Sequence, residues 1–96
     1  MLDELVTTPD LRNLRLIWTD AGESVLPADY LRRHARDAWS LRELIDTGEI
    51  AIAPDLKITA LEGVGDYGVN VHFSDGHERA IYPFSYLREL SESFGK

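Results

Sequence analysis

The sequence predicts an α+β fold: a small, mostly antiparallel sheet with helices packed on one face, in two layers. Three observations predict it. Tyr67, Val69, Val71 and Phe73 alternate with Gly68, Asn70, His72 and Ser74, the period of a strand with one covered face. Ser74-Asp75-Gly76-His77 follows, and an Asp-Gly pair between strand-like runs is the strongest short hairpin signal. Apolar residues at helical spacing appear after Pro27 and again after Ser85. Strands joined by hairpins and bracketing helices, without regular strand–helix–strand crossovers, place the helices over an antiparallel sheet.

Taken in order, residues 1–10 lack periodicity and close on Pro9-Asp10, so they read as a flexible N-terminal arm ahead of a single domain over 11–96. Leu14, Leu16 and Trp18 alternate with Arg15 and Ile17, a strand with one buried face. Thr19-Asp20-Ala21-Gly22 supplies a turn, and Glu23 to Leu26 returns as the second arm. Pro27 opens a helix, since its missing N–H costs nothing in a first turn, and Asp29 complements the helix dipole. Leu31, Ala35 and Ala38 form the apolar stripe, with Arg32, Arg33 and Arg36 pointing away. Ser40-Leu41-Arg42-Glu43 has the capping-box pattern, and Trp39 with Leu44 fits a hydrophobic staple. A break near Trp39 and a second short helix to about Asp46 follow, closed by a left-handed Gly48.

Glu49 to Ala53 is an apolar run long enough for a short strand, stopped by Pro54-Asp55. Lys57 to Val64 reads as a strand with Ile58, Ala60 and Glu62 on one face and Lys57, Thr59 and Leu61 on the other. Gly63-Val64-Gly65-Asp66 breaks the chain before the 67–74 strand. Glu78 to Pro83 returns as the partner strand, with Ile81 as its apolar residue and Tyr82 part-buried. Ser85 caps a last helix whose stripe is Tyr86, Leu87, Leu90 and Phe94.

Composition bounds the function. Ninety-six residues, 44% hydrophobic and 28% charged, suit one globular domain. There is no cysteine, which excludes disulfides, a thiol nucleophile and a cysteine zinc knuckle. No apolar run approaches the roughly 20 residues a membrane span needs. Met1-Leu2-Asp3-Glu4 lacks the basic start of a signal peptide, so a cytoplasmic protein with no membrane contact is expected. A net charge of −7 opposes binding to nucleic acid, which is held through basic contacts to phosphate. Arg32, Arg33, Arg36 and Arg42 nevertheless cluster beside His34, either as a solvated helix face or as a docking patch.

The order and spacing of several segments resemble the gamma-butyrobetaine hydroxylase-like N-terminal domain family, over about Leu11 to Leu90. They are the strand ending in Trp18 with Asp20 and Gly22, Leu26-Pro27 through Leu31-Arg32, and Gly63-Val64-Gly65-Asp66-Tyr67. Phe73-Ser74-Asp75-Gly76-His77, Ile81-Tyr82-Pro83-Phe84 and Leu87-Arg88-Glu89-Leu90 complete the likeness. The resemblance implies a compact α+β domain. In the family it occurs in front of 2-oxoglutarate- and iron-dependent hydroxylase domains, attached to iron–sulfur carrier ATPases, or as small free-standing bacterial proteins, and this chain looks like the last kind. In the hydroxylases the domain carries a zinc held by three cysteines and a histidine, apart from the catalytic part.

This chain departs from that pattern. The cysteine positions fall on Ala35, Asp37 and Ser40, and only the histidine, His77, remains. Zinc needs four ligands from Cys, His or carboxylate. His77, Asp37 and His34 are the remaining candidates, so no cofactor is expected. Ala21 is an extra turn residue relative to the family. No catalytic constellation emerges. His72-Phe73-Ser74-Asp75 lacks the His-x-carboxylate spacing of a non-haem iron triad. Gly63-Val64-Gly65-Asp66-Tyr67-Gly68 leads into a strand instead of opening a helix, contrary to the dinucleotide fingerprint. The expected function is a non-enzymatic protein–protein interaction or accessory module, monomeric or weakly dimeric. Its expected contact residues for an unknown protein partner are Arg32, Arg33, Arg36, Tyr82, Phe84 and Tyr86, by the preference of interfaces for arginine and aromatics. The alternative is a metal-binding accessory protein, for zinc or iron and related to iron–sulfur assembly.

Overall fold

A computed structural model describes residues 2–20 and 22–94. Among the described residues the chain forms six strands and three helices: β1 (Leu2–Thr7), β2 (Asn13–Trp18), β3 (Gly22–Pro27), α1 (Ala28–Arg33), α2 (Ala38–Thr47), β4 (Ile58–Val64), β5 (Gly68–Phe73), β6 (Ala80–Pro83) and α3 (Phe84–Ser93). The strands make two antiparallel three-stranded sheets, β1-β2-β3 and β4-β5-β6. The α+β class therefore holds, with the strands divided between two sheets. The sheets are stitched where Leu11 C=O, just before β2, accepts from Ile58 N–H of β4 at 2.7 Å.

Residues 2–7, expected as a flexible arm, are instead an edge strand. The physical reason is a bulge. Leu2 pairs with Trp18, Glu4 with Ile17 and Leu5 with Leu16, so Asp3 is the extra residue. One inserted residue shifts the side-chain alternation. Leu2, Leu5 and Thr7 then stand opposite the buried Trp18, Leu16 and Leu14, and both leucines pack on the core.

β4 carries the same device. Ile58 pairs with Phe73 but Ala60 with His72, so Thr59 is the extra residue. Ile58 and Leu61 consequently share the inward side, opposite Phe73 and Val71; the simple alternation put them on opposite faces. β5 follows its expected pattern from Val69 onward, with Val69, Val71 and Phe73 buried and Tyr67 exposed in the preceding turn. In β6 Tyr82 is fully buried and Ile81 is exposed, the reverse of the expected emphasis. Residues 49–53 form no strand, although Ile50 is buried.

Pro27 stands just before α1 as its N-cap, with extended backbone. α1 is a six-residue helix whose exposed-end carbonyls need partners. Tyrosines from the other half of the chain supply them: Tyr82 Oη donates to Leu31 C=O at 2.5 Å and Tyr86 Oη to His34 C=O at 2.8 Å. α3 begins at Phe84 behind Pro83 without a side-chain cap, so Ser85 does not serve as one. It buries Tyr86, Leu87 and Leu90, while Phe94, beyond the helix end, is exposed. The core unites Leu14, Leu16, Leu26 and Leu31 with Ile58, Val71, Phe73, Tyr82 and Leu87. Ala21 lies outside the described residues. None of the helices is long and apolar enough to cross a membrane, among the described residues.

Candidate functional site

α2 begins one turn earlier than the Ser40 capping box implies. Asp37 is its N-cap, with Oδ2 accepting the Ser40 N–H at 3.1 Å. An aspartate three residues before the amide it caps is a standard helix start, and it makes Ser40 a first-turn residue whose side chain is free to turn inward. At the other end Gly48 takes the left-handed conformation at φ 85° and its N–H bonds Leu44 C=O, as expected.

Ser40 is fully buried, and its hydroxyl lies in a ring of hydrogen bonds through five residues. The Arg32 guanidinium of α1 donates from Nη1 to Ser40 Oγ at 3.0 Å. Ser40 Oγ donates to Asp37 Oδ1 at 2.8 Å. His77 Nε2 meets the same oxygen at 2.8 Å. The His77 backbone N–H donates to Asp75 Oδ1 at 2.9 Å. Asp75 Oδ2 closes the ring by accepting from Arg32 Nε at 3.1 Å. Asp75 and His77 come from the β5–β6 hairpin, where Gly76 adopts φ 89°, so the ring ties α1, the start of α2 and the hairpin together. The Arg32–Asp75 ion pair and the Asp37–His77 contact are nearly sealed from solvent, with side-chain exposures of 6% and 18% for Arg32 and Asp75 and 9% for each of Asp37 and His77. Burial pushes the Asp37 pKa up, but the hydrogen bonds from His77 and Ser40 outweigh it and hold the carboxyl below its ordinary value.

Two of the three candidate metal ligands are therefore brought together, and one is not. His34 turns Nδ1 to its own helix, onto Tyr30 C=O at 2.8 Å. The implied zinc does not fit the residues present. His77 Nε2 faces the Asp37 carboxylate at 2.8 Å, and the two side chains together supply at most two of the four ligands zinc takes. A fixed guanidinium charge stands at Ser40 Oγ, and Ala35 offers no donor atom. Among the described residues no three His, Asp or Glu side chains are grouped to hold an ion. Ser40, His77 and Asp37 have the composition of a nucleophilic triad but not its geometry. Serine and aspartate sit on the same ring nitrogen, Oγ lying 3.4 Å from Nε2, whereas a relay uses one nitrogen for each.

The docking residues expected from sequence need correction. Arg32, Tyr82 and Tyr86 are buried, because Arg32 serves the ring and the two tyrosines serve the carbonyls around the end of α1. Arg36 is exposed but lies over the Tyr86 ring at 3.7 Å from its centroid. Arg33 is exposed, 4.0 Å from Asp29, and Phe84 is half-buried. The outward apolar surface is elsewhere, on α2: Ile45 is 81% exposed, Trp39 71%, and Leu41 and Leu44 are exposed as well. Trp39 and Leu44 do not form the expected staple. The sequence signal for this face was present in the Leu41, Leu44, Ile45 spacing, but spacing alone does not say which apolar stripe the core claims. Below Trp39, Arg32, Gly76, His77 and Arg79 line an open cleft of about 500 Å³.

The chain matches the family described as gamma-butyrobetaine hydroxylase-like, N-terminal, over residues 6–88. It belongs to this family. The gamma-butyrobetaine hydroxylase-like N-terminal fold is also that of solved structures. A crystal structure of a protein of unknown function from the DUF971 family of Acidithiobacillus ferrooxidans is 27% identical, with a TM-score of 0.73 over 94% of this chain and 91% of that one. Two NMR solution structures, 23% and 21% identical, have TM-scores of 0.72 and 0.69 and share the fold; they match 95% and 96% of this chain and 68% and 73% of theirs. No curated protein matches the chain.

Proposed function

We propose that this protein is a non-enzymatic, cytoplasmic interaction module that docks α2 into an apolar, basic-rimmed groove on a partner protein. The observation that carries this reading is the outward set Trp39, Leu41, Leu44 and Ile45 on one ten-residue helix. At about 100° per residue, Leu41, Leu44 and Ile45 share one flank and Trp39 lies on the other. Apolar residues on both flanks suit a groove that grips a helix from two sides better than a flat surface.

Charge decides between partners. Glu43 and Asp46 line the surface beside Trp39 together with Arg42, which is 3.8 Å from Asp46. The whole chain carries −7. A second copy would bring like charge to the contact, whereas a basic rim would complement it. The chain itself is then a monomer or weak homodimer, and the same charge opposes nucleic acid. The buried Ser40 and the shared His77 nitrogen support the absence of hydrolytic chemistry at the ring.

Photo-crosslinking from position 45 in the native cells, with position 25 on the far sheet as control, tests the docking face. The expected product joins α2 to a partner segment containing apolar residues and lysine or arginine. Ile45→Lys should reduce crosslinking from position 41 by roughly tenfold or more, the scale of one buried aliphatic side chain. Self-crosslinked dimers, or equal products from both positions, would overturn the proposal.

A further inference from the structure

We propose that the Arg32–Ser40–Asp37–His77–Asp75 ring is a metal-independent staple, with Arg32 as its resident cation, that fastens the start of α2 to the β5–β6 hairpin. This does not rest on the docking role of α2. It rests on what holds α2 in place. The apolar residues of the helix point outward, and the residue it buries is Ser40. The attachment of its first turn is thus polar. A buried polar network stabilises only if its members satisfy one another, and this one closes on itself through donors and acceptors fixed by chemistry.

The positive charge has to be an arginine. Arg32 sends Nε to Asp75 and Nη1 to Ser40 at 3.1 and 3.0 Å, two donors at a fixed angle that a lysine ammonium does not reproduce. With the His77 ring nitrogen on Asp37 and the Arg32 guanidinium on Asp75 inside a nearly closed site, the carboxylates that an ion would bind already have partners. The hairpin side is rigid for the same reason, since Asp75 receives one bond from Arg32 and another from the His77 backbone.

The test is a set of thermal melts on the full chain, followed by circular dichroism, with EDTA, with added zinc and with neither. The three curves of the wild type should coincide, and cobalt(II) should produce no tetrahedral absorption bands. Arg32→Met should lower the melting temperature by roughly 10–20 °C, the scale expected when one member of a buried ion pair is removed from a domain this size, and Arg32→Lys should recover less than half of that loss. If Arg32→Met does not fold, Ser40→Ala, which cuts the ring between Arg32 and Asp37, should still lower it by about 5–10 °C. A melting temperature that falls with EDTA, stoichiometric zinc in the purified protein, or full stability in Ser40→Ala would overturn the proposal.

Discussion

Asp37 does two jobs with two oxygens: Oδ2 caps α2 through the Ser40 N–H, and Oδ1 accepts from His77 and Ser40. Its carboxyl is held below its ordinary pKa. A depressed carboxylate stabilises the fold above the unfolded value of about 3.9 and loses that contribution as pH falls through the folded value. Urea unfolding of the wild type should therefore be insensitive to this group above about pH 5 and weaken below about pH 4. Asp37→Asn keeps a competent N-cap but removes the charge, so it should be less stable at neutral pH and show a shallower acid loss. Tyr82 has the opposite sign. Burial drives its phenol far above the ordinary value. Its contribution is complete below about pH 10 and is lost as pH rises beyond that, where the unfolded chain would ionise. Tyr82→Phe, which removes that titration along with the bond to Leu31, should destabilise by about 1–2 kcal/mol at pH 7 and flatten the alkaline limb in the same unfolding series.

At the scale of elements, the legible parts were those whose side-chain period runs unbroken. β2, most of β5, the Asp75-Gly76 turn and the Gly48 helix end could be read from spacing and turn chemistry. β1 and the faces of β4 could not, because bulges at Asp3 and Thr59 break the period of two. Helix starts were misread for a related reason. Both Asp37 and Ser40 are cap-forming residue types, and only the packed ring assigns one to the cap and the other to the interior. β5 also contains a close backbone approach: a Cβ added at Gly68 would lie 2.9 Å from Tyr82 C=O and 3.2 Å from Pro83 Cα. Backbone on both sides of that contact cannot yield cheaply, so Gly68→Ala should cost about 1–3 kcal/mol. Denaturant midpoints of the variant and the wild type measure it.

The molecule as a whole separates two kinds of cohesion. The two sheets, α1 and α3 share an apolar core that runs from Leu14 to Leu90, whereas α2 joins the body at its first turn through the polar ring and presents Trp39, Leu41, Leu44 and Ile45 outward. That division was not legible beforehand, since it depends on residues 32, 37, 40, 75 and 77 meeting, with Arg32 and Asp75 lying 43 positions apart in sequence. The family's zinc-ligand pattern pointed to positions 37, 40 and 77; Arg32 was expected to point outward and Asp75 to serve the hairpin turn, and their place in the ring emerged from the fold. Native-state hydrogen exchange on the wild type and Arg32→Met tests the division most directly. In the wild type the amides of residues 38–47 should open at lower free energy than those of β2 and β5. In Arg32→Met the α2 amides should lose protection roughly tenfold more than the strand amides; equal losses in both, or unchanged protection of α2, would contradict a helix held by the ring.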